Sequence, residues 1–187
     1  MERNNTNWTT RMLTEGAISL ALAFILGRIK LFTMPQSGSV TAGEMIPLII
    51  FAMRYGAGKG FVVGALYGVI DMMLGGGIYH PVQAILDYPL AFGLLGLAGI
   101  FSKEFKKDRS LAPILKGTAI GVIARLICHV LSGVIFFKEY TPEGMNSWAY
   151  SIGYNGGFLG VELVITVLII YLLRNFLTRD LPKLENR

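Results

Sequence analysis

Apolar residues run in long stretches along this chain, and the charged positions gather between them. Runs at roughly 12–32, 40–53, 60–76, 82–101, 111–137 and 148–173 each read as a helix crossing a bilayer. A crossing takes about 20 apolar residues, and shorter ones are tolerated inside a protein or where the bilayer thins. The last four runs are clear, while the first two are short or broken by Glu15, Arg28, Glu44 and Arg54. Gly56–Gly60, Gly75–Pro81 and Pro142–Ser147 punctuate them as turns. The pattern predicts an all-α bundle of six transmembrane helices, with residues 1–187 forming a single integral membrane domain.

Lysine and arginine then set the orientation. With both termini cytoplasmic, the inner segments hold Arg3, Arg11, Arg54, Lys59, Lys103, Lys106, Lys107, Arg109, Lys116, Arg174, Arg179, Lys183 and Arg187. The outer segments hold Arg28, Lys30 and Lys138. Positive charge concentrates on the cytoplasmic side of membrane proteins, so this asymmetry predicts an N-in, C-in protein of the cell membrane.

Composition agrees. The 187 residues are 53% hydrophobic and 16% charged, with a mean hydropathy of +0.55. A soluble domain carries about a quarter charged residues. The formal charge of +5 does not point to nucleic acid, because the basic residues sit at helix ends without interleaved aromatics. A single cysteine, Cys128, excludes an internal disulfide and a cysteine cage for metal; it reads as a small apolar filler. The polar start MERNNTNWTT lacks the apolar core of a signal peptide. Its sequons, Asn4-Asn5-Thr6 and Asn7-Trp8-Thr9, read as chance matches.

Polar residues inside apolar runs need a partner, a water-filled cavity or a ligand. Asp71, Asp87, His129, Tyr150 and Asn155 are such residues, and the orientation puts all five in the outer half of the bilayer. Arg125, His129, Gly133 and Phe137 recur every four residues, so they line one helix face. That stripe fits a flat heterocycle, although helix–helix packing also explains it. Asp87-Tyr88 brings a carboxylate and a phenol, either for a cationic ligand or for a pair with Arg125. Arg125 and Glu162 fall at matching depths, which predicts a buried ion pair between them.

No metal, cofactor or catalytic residue is expected. Tyr55-Gly56-Ala57-Gly58-Lys59-Gly60 fails as a phosphate loop, with Met53 in place of the first glycine and Gly60 in place of Ser or Thr. No nucleophilic triad or HExxH motif is present. Ala17 and Ala21, with small residues at their spacing, allow another helix to approach the first span closely.

Several blocks carry a family resemblance. They are Leu13-Thr14-Glu15 with Ala17-xxx-Ala21, Gln83-Ala84-Ile85-Leu86-Asp87-Tyr88, His129-xxx-Gly133, and Ala149-Tyr150-Ser151-xxx-Asn155-Gly156. Over most of its length the chain resembles the thiamin-specific S components of energy-coupling factor transporters. The resemblance implies a six-helix protein that captures thiamin from outside, working with a transmembrane coupling subunit and two ATPases. The alanine face at Ala17 and Ala21 would meet the coupling subunit. His129 and Phe137 would stack on the vitamin. Asp87, Tyr150 and Asn155 would supply hydrogen bonds or charge, Tyr88 and Arg125 would approach the hydroxyethyl end, and Tyr79 would add a contact. Asp87, Phe137 and Arg125 stand where the family usually has Glu, Trp and Lys. The segment 33–41, with Pro35-Gln36-Ser37-Gly38-Ser39, reads as a flexible lid.

Three other readings remain open from the residues alone. One is an S component for another vitamin or for the hydroxymethylpyrimidine half. Another is a small membrane enzyme using His129 with Asp71 or Asp87. The last is a carrier or channel that works alone.

Overall fold

The computed structural model describes residues 8–108 and 110–177. Arg3, Arg109, Arg179, Lys183, Arg187 and the sequon at Asn4 lie outside the described residues, as does Asn7 of the second sequon.

Helix α1 (Thr10–Arg28) starts where the Thr9 hydroxyl accepts the Met12 amide. It stops at Ile29, short of the run expected to reach 32, because the chain turns extended there. Strands β1 (Lys30–Thr33) and β2 (Ser39–Thr41) form an antiparallel hairpin, with Phe32 opposite Val40 and Thr33 opposite Ser39. The second expected span, 40–53, therefore begins as a strand. Its helix α2 (Met45–Tyr55) follows Gly43, whose φ of +110° makes the corner that a side chain would resist. Helix α3 is Ala57–Met73.

Helix α4 (Pro81–Lys107) opens on Pro81 at its first turn, with His80 accepting the Val82 amide. Its winding then changes to a π turn at Leu86–Leu90. Pro89 lacks an N–H and crowds the preceding turn, and one wider turn absorbs both problems. Asp87 and Tyr88 sit in that turn. The later part of α4 tightens to 3₁₀ winding over Leu95–Phe101. Helix α5 is Leu111–Phe136 and α6 is Ser147–Leu177, the latter capped by Asn146 Oδ1 on the amides of Trp148 and Ala149.

Among the described residues α1, α4, α5 and α6 are long and apolar enough to cross a membrane. With 11 and 17 residues, α2 and α3 are shorter. The reason in α2 is its place: nearly every residue from Met45 to Arg54 is buried. It forms the centre of the core with Tyr67, Phe92, Leu95, Phe105, Ile114 and Leu159. The glycines of α3 let α4 close on it, since a Cβ at Gly64 would lie 2.2 Å from the Phe92 carbonyl oxygen. Large apolar side chains such as Leu66, Ile123, Ile127, Val164 and Leu172 face outward, as a surface in lipid requires.

Candidate functional site

Asp87 is the hub where α4 meets α5. Its Oδ2 accepts Gln83 Nε2 and Ser132 Oγ, both at 2.7 Å, and its Oδ1 lies 3.1 Å from His129 Nδ1. Gln83 stands one helical turn before Asp87 and is 2% exposed. It also donates to the Gly77 carbonyl and accepts the Tyr79 amide, tying the α3–α4 turn to the carboxylate. A carboxylate has about four lone-pair directions, so three donors leave Asp87 room for one more.

Behind His129 the polar groups continue inward. Arg125 Nε donates to His129 Nε2 at 3.2 Å, and Arg125 Nη2 donates to Glu44 Oε1 at 3.0 Å. The expected buried ion pair is present, with Glu162 Oε2 3.9 Å from Arg125 Nη1, although that distance is beyond hydrogen-bond length. Glu44 is therefore the closer partner, and Glu162 instead accepts the Thr41 amide at 2.8 Å and its hydroxyl at 2.7 Å. The end of the hairpin is thus fastened to α6.

The seam between α5 and α6 explains Gly133 and Asn155. A Cβ at Gly133 would sit 2.3 Å from Ser151 Oγ, so only glycine allows this approach. Ser151 donates to the Val130 carbonyl, and Asn155 donates back to the Ser151 carbonyl at 2.9 Å. Asn155 is thereby brought beside Gly133, its Nδ2 3.7 Å from where a Cβ there would stand.

Aromatic rings gather between this cluster and the hairpin. Tyr79 meets Phe137 edge-on at 5.3 Å, and His129 meets Phe158 at 6.3 Å. Tyr154 packs between Tyr150 and Phe158, with centroids about 6 Å apart on each side. Tyr154 also holds the hairpin tip: it accepts the Gly38 amide at 2.9 Å and donates to the Pro35 carbonyl. Tyr150 reaches Gln36 Oε1 at 3.5 Å. Gln36 has a φ of +59°, a conformation rare outside glycine, and these tyrosines brace it. The segment expected as a flexible lid is a hairpin pinned at its tip and its base.

Not every candidate joins this cluster. Asp71 pairs with Arg28 at 3.2 Å, cross-linking α3 to the end of α1. The Tyr88 ring lies against Gly76 in the α3–α4 turn. Ala17 and Ala21 lie on an exposed face of α1 with Leu13, Ile18 and Ile25. A groove of about 570 Å³ between α1, α2 and α6, lined by Glu15, Ile50, Arg54 and Phe176, contains none of the candidates. Among the described residues no three His, Cys, Asp or Glu side chains converge as a metal site.

Gln83, Ser132, Glu44, Thr41 and Tyr154 were not singled out from sequence. Gln83 carried a signal, one turn from Asp87 on the same face. Glu44 stood out only as a charge in an apolar run, which does not name its partner, and Thr41 carried no signal; both find their partners through tertiary packing.

The family model described as "Thiamine transporter protein (Thia_YuaJ)" matches residues 13–181. The chain is 33% identical over 171 residues to the thiamine transporter ThiT of Bacillus subtilis, covering 86% of this chain and 88% of that one. It is also 33% identical over 174 residues to ThiT of Lacticaseibacillus paracasei, covering 85% and 84%. The solved structure of ThiT from Listeria monocytogenes superposes with a TM-score of 0.77 at 29% identity, covering 89% of this chain and 94% of that one. With the match running from the first turn of α1 to past the end of α6, the chain belongs to the thiamine transporter family, a membrane transporter family and not an enzyme family.

Proposed function

We propose that this chain is the thiamin-binding S component of an energy-coupling factor transporter. It captures the vitamin at an outward-facing site, and a coupling subunit with two ATPases drives import. Six crossings in a single integral domain, with both termini cytoplasmic, complete the reading. The observation that carries it is the meeting of Asp87 and His129 at 3.1 Å in a chain of this family. Thiamin is a flat cation with two rings and an amino group. Asp87 offers it a carboxylate with acceptor capacity to spare, and His129, Phe137 and Tyr79 offer ring faces. We read Gly133, one turn from His129 on α5, Asn155 across the α5–α6 seam, Tyr150 beside Tyr154, and Tyr88 next to Asp87 in the chain as further contacts of the ligand. The exposed Ala17–Ala21 face of α1 is where a partner helix approaches closely.

Purified protein titrated with thiamin tests the capture step. Saturable binding, outcompeted weakly by hydroxymethylpyrimidine alone, supports the reading; stronger binding of the pyrimidine makes that half the ligand. Vesicles holding the chain alone should not accumulate thiamin, and vesicles with coupling subunit, ATPases and ATP should. Uptake by the chain alone contradicts the subunit assignment.

A further inference from the structure

The two histidines of this chain are held in opposite ways. His129 Nε2 receives the Nε–H of Arg125 at 3.2 Å. Arginine is only a donor, so that ring nitrogen must present a lone pair. The ring proton is then on Nδ1, directed at Asp87 Oδ1 3.1 Å away. His80 is the reverse: its Nδ1 accepts the Val82 amide at 3.2 Å, so its neutral ring carries the proton on Nε2.

Arg125 has little freedom to do otherwise. It is 6% exposed, its guanidinium lies 4.1 Å over the Phe92 ring, and Nη2 is bonded to Glu44. Glu44 is itself held, by the Tyr67 hydroxyl at 3.3 Å and through its amide by Thr41 Oγ1 at 3.2 Å. The charged groups facing His129 are thus Asp87 from α4 and Arg125 from its own helix, with Glu44 of α2 and Glu162 of α6 behind Arg125.

We propose that Arg125, braced by Glu44, is a positioning residue that locks His129 as the Nδ1–H tautomer, so that Asp87 faces the ligand as a bare acceptor and His129 offers it only a ring face. The effect assigned here to Arg125 and Glu44 runs through His129. The inference rests on the binding site proposed above, and it extends that site two residues inward. A ligand donor, such as an amino group, gains from this arrangement. A ligand that needs a hydrogen bond from His129 finds both ring nitrogens taken. A lysine, the residue the family usually has here, is a point charge and would not bond the imidazole and the Glu44 carboxylate through one planar fork as Arg125 does.

Nitrogen-15 NMR of histidine-labelled protein without ligand reads the tautomers directly. The wild type should show one neutral Nδ1–H ring and one neutral Nε2–H ring. Arg125→Met should move the His129 signals toward the Nε2–H form and weaken thiamin binding about tenfold, the worth of one well-placed hydrogen bond. Glu44→Gln, the milder change, should move both in the same direction by less. Two Nε2–H rings or a His129 imidazolium in the wild type overturns the proposal, as does Arg125→Met with unchanged tautomer and affinity. If Arg125→Met does not fold, the wild-type spectrum and Glu44→Gln decide. The spectrum needs no thiamin, so a failure here is distinct from a failure of the transport reading.

Discussion

Glu162 on α6 accepts both the amide and the hydroxyl of Thr41, a residue 121 positions earlier at the base of the hairpin. Its other oxygen is buried and makes no hydrogen bond, facing Arg125 at 3.9 Å. One side chain thus fastens the hairpin to the bundle and balances the guanidinium behind His129. Replacing Glu162 with Ala should lower stability in detergent by about 3 kcal/mol, in the range for breaking a buried charge pair. Thermal unfolding followed by circular dichroism measures this, and an unchanged Tm contradicts the fastening role.

Tyr154→Phe removes the hydroxyl that grips Gly38 and Pro35 while leaving the ring in place. Amide exchange should rise in residues 34–38, and thiamin should dissociate several-fold faster, consistent with the loss of about 1 kcal/mol. Association should change little. Equal exchange in the two proteins would show that the hairpin tip is held by other contacts.

Gly133→Ala should push α5 and α6 apart, since the added Cβ would fall 2.3 Å from Ser151 Oγ and 3.2 Å from its Cβ. The cost is about 1–3 kcal/mol, the usual penalty for overpacking. Ser151→Gly in the same chain should recover much of it by removing both obstructing atoms. A double variant no more stable than Gly133→Ala would refute the steric account.

Asp71→Ala breaks the bond to Arg28, an ion pair with solvent on both sides, and that bond is separate from the Asp87 cluster. Thiamin affinity should stay within about twofold, and stability should fall by no more than about 1 kcal/mol. A large loss of affinity, read by calorimetric titration, would place Asp71 in the binding site.

The sequence makes some of this arrangement legible and hides the rest for identifiable reasons. Helices α3 to α6 follow from their apolar runs, because lipid leaves a backbone little choice but to bond within its own helix. Asp87 and His129 were marked by depth and cost, which are properties of single residues. The hairpin was hidden because Ile29–Phe32 extends the apolar run of α1, and hydropathy does not distinguish a strand from another helical turn. The π turn was signalled only by Pro89, which says where winding must change without saying how. Depth alone found Glu162 as an ion-pair partner of Arg125, but Glu44 read as an interruption of a weak span, and its shorter bond to Arg125 went unseen. Telling which of two paired carboxylates, 81 and 37 positions from Arg125, also hydrogen-bonds it needs side-chain geometry that depth does not contain.

The central claim is that thiamin binds where Asp87 meets His129. Calorimetric titration of thiamin into purified wild type and Asp87→Ala, with folding of both checked by circular dichroism, tests it most directly. Saturable binding to the wild type and a loss of at least about a hundredfold in the variant is the predicted result, since a charged ligand group would lose its paired carboxylate. Equal affinity in the two folded proteins would contradict it.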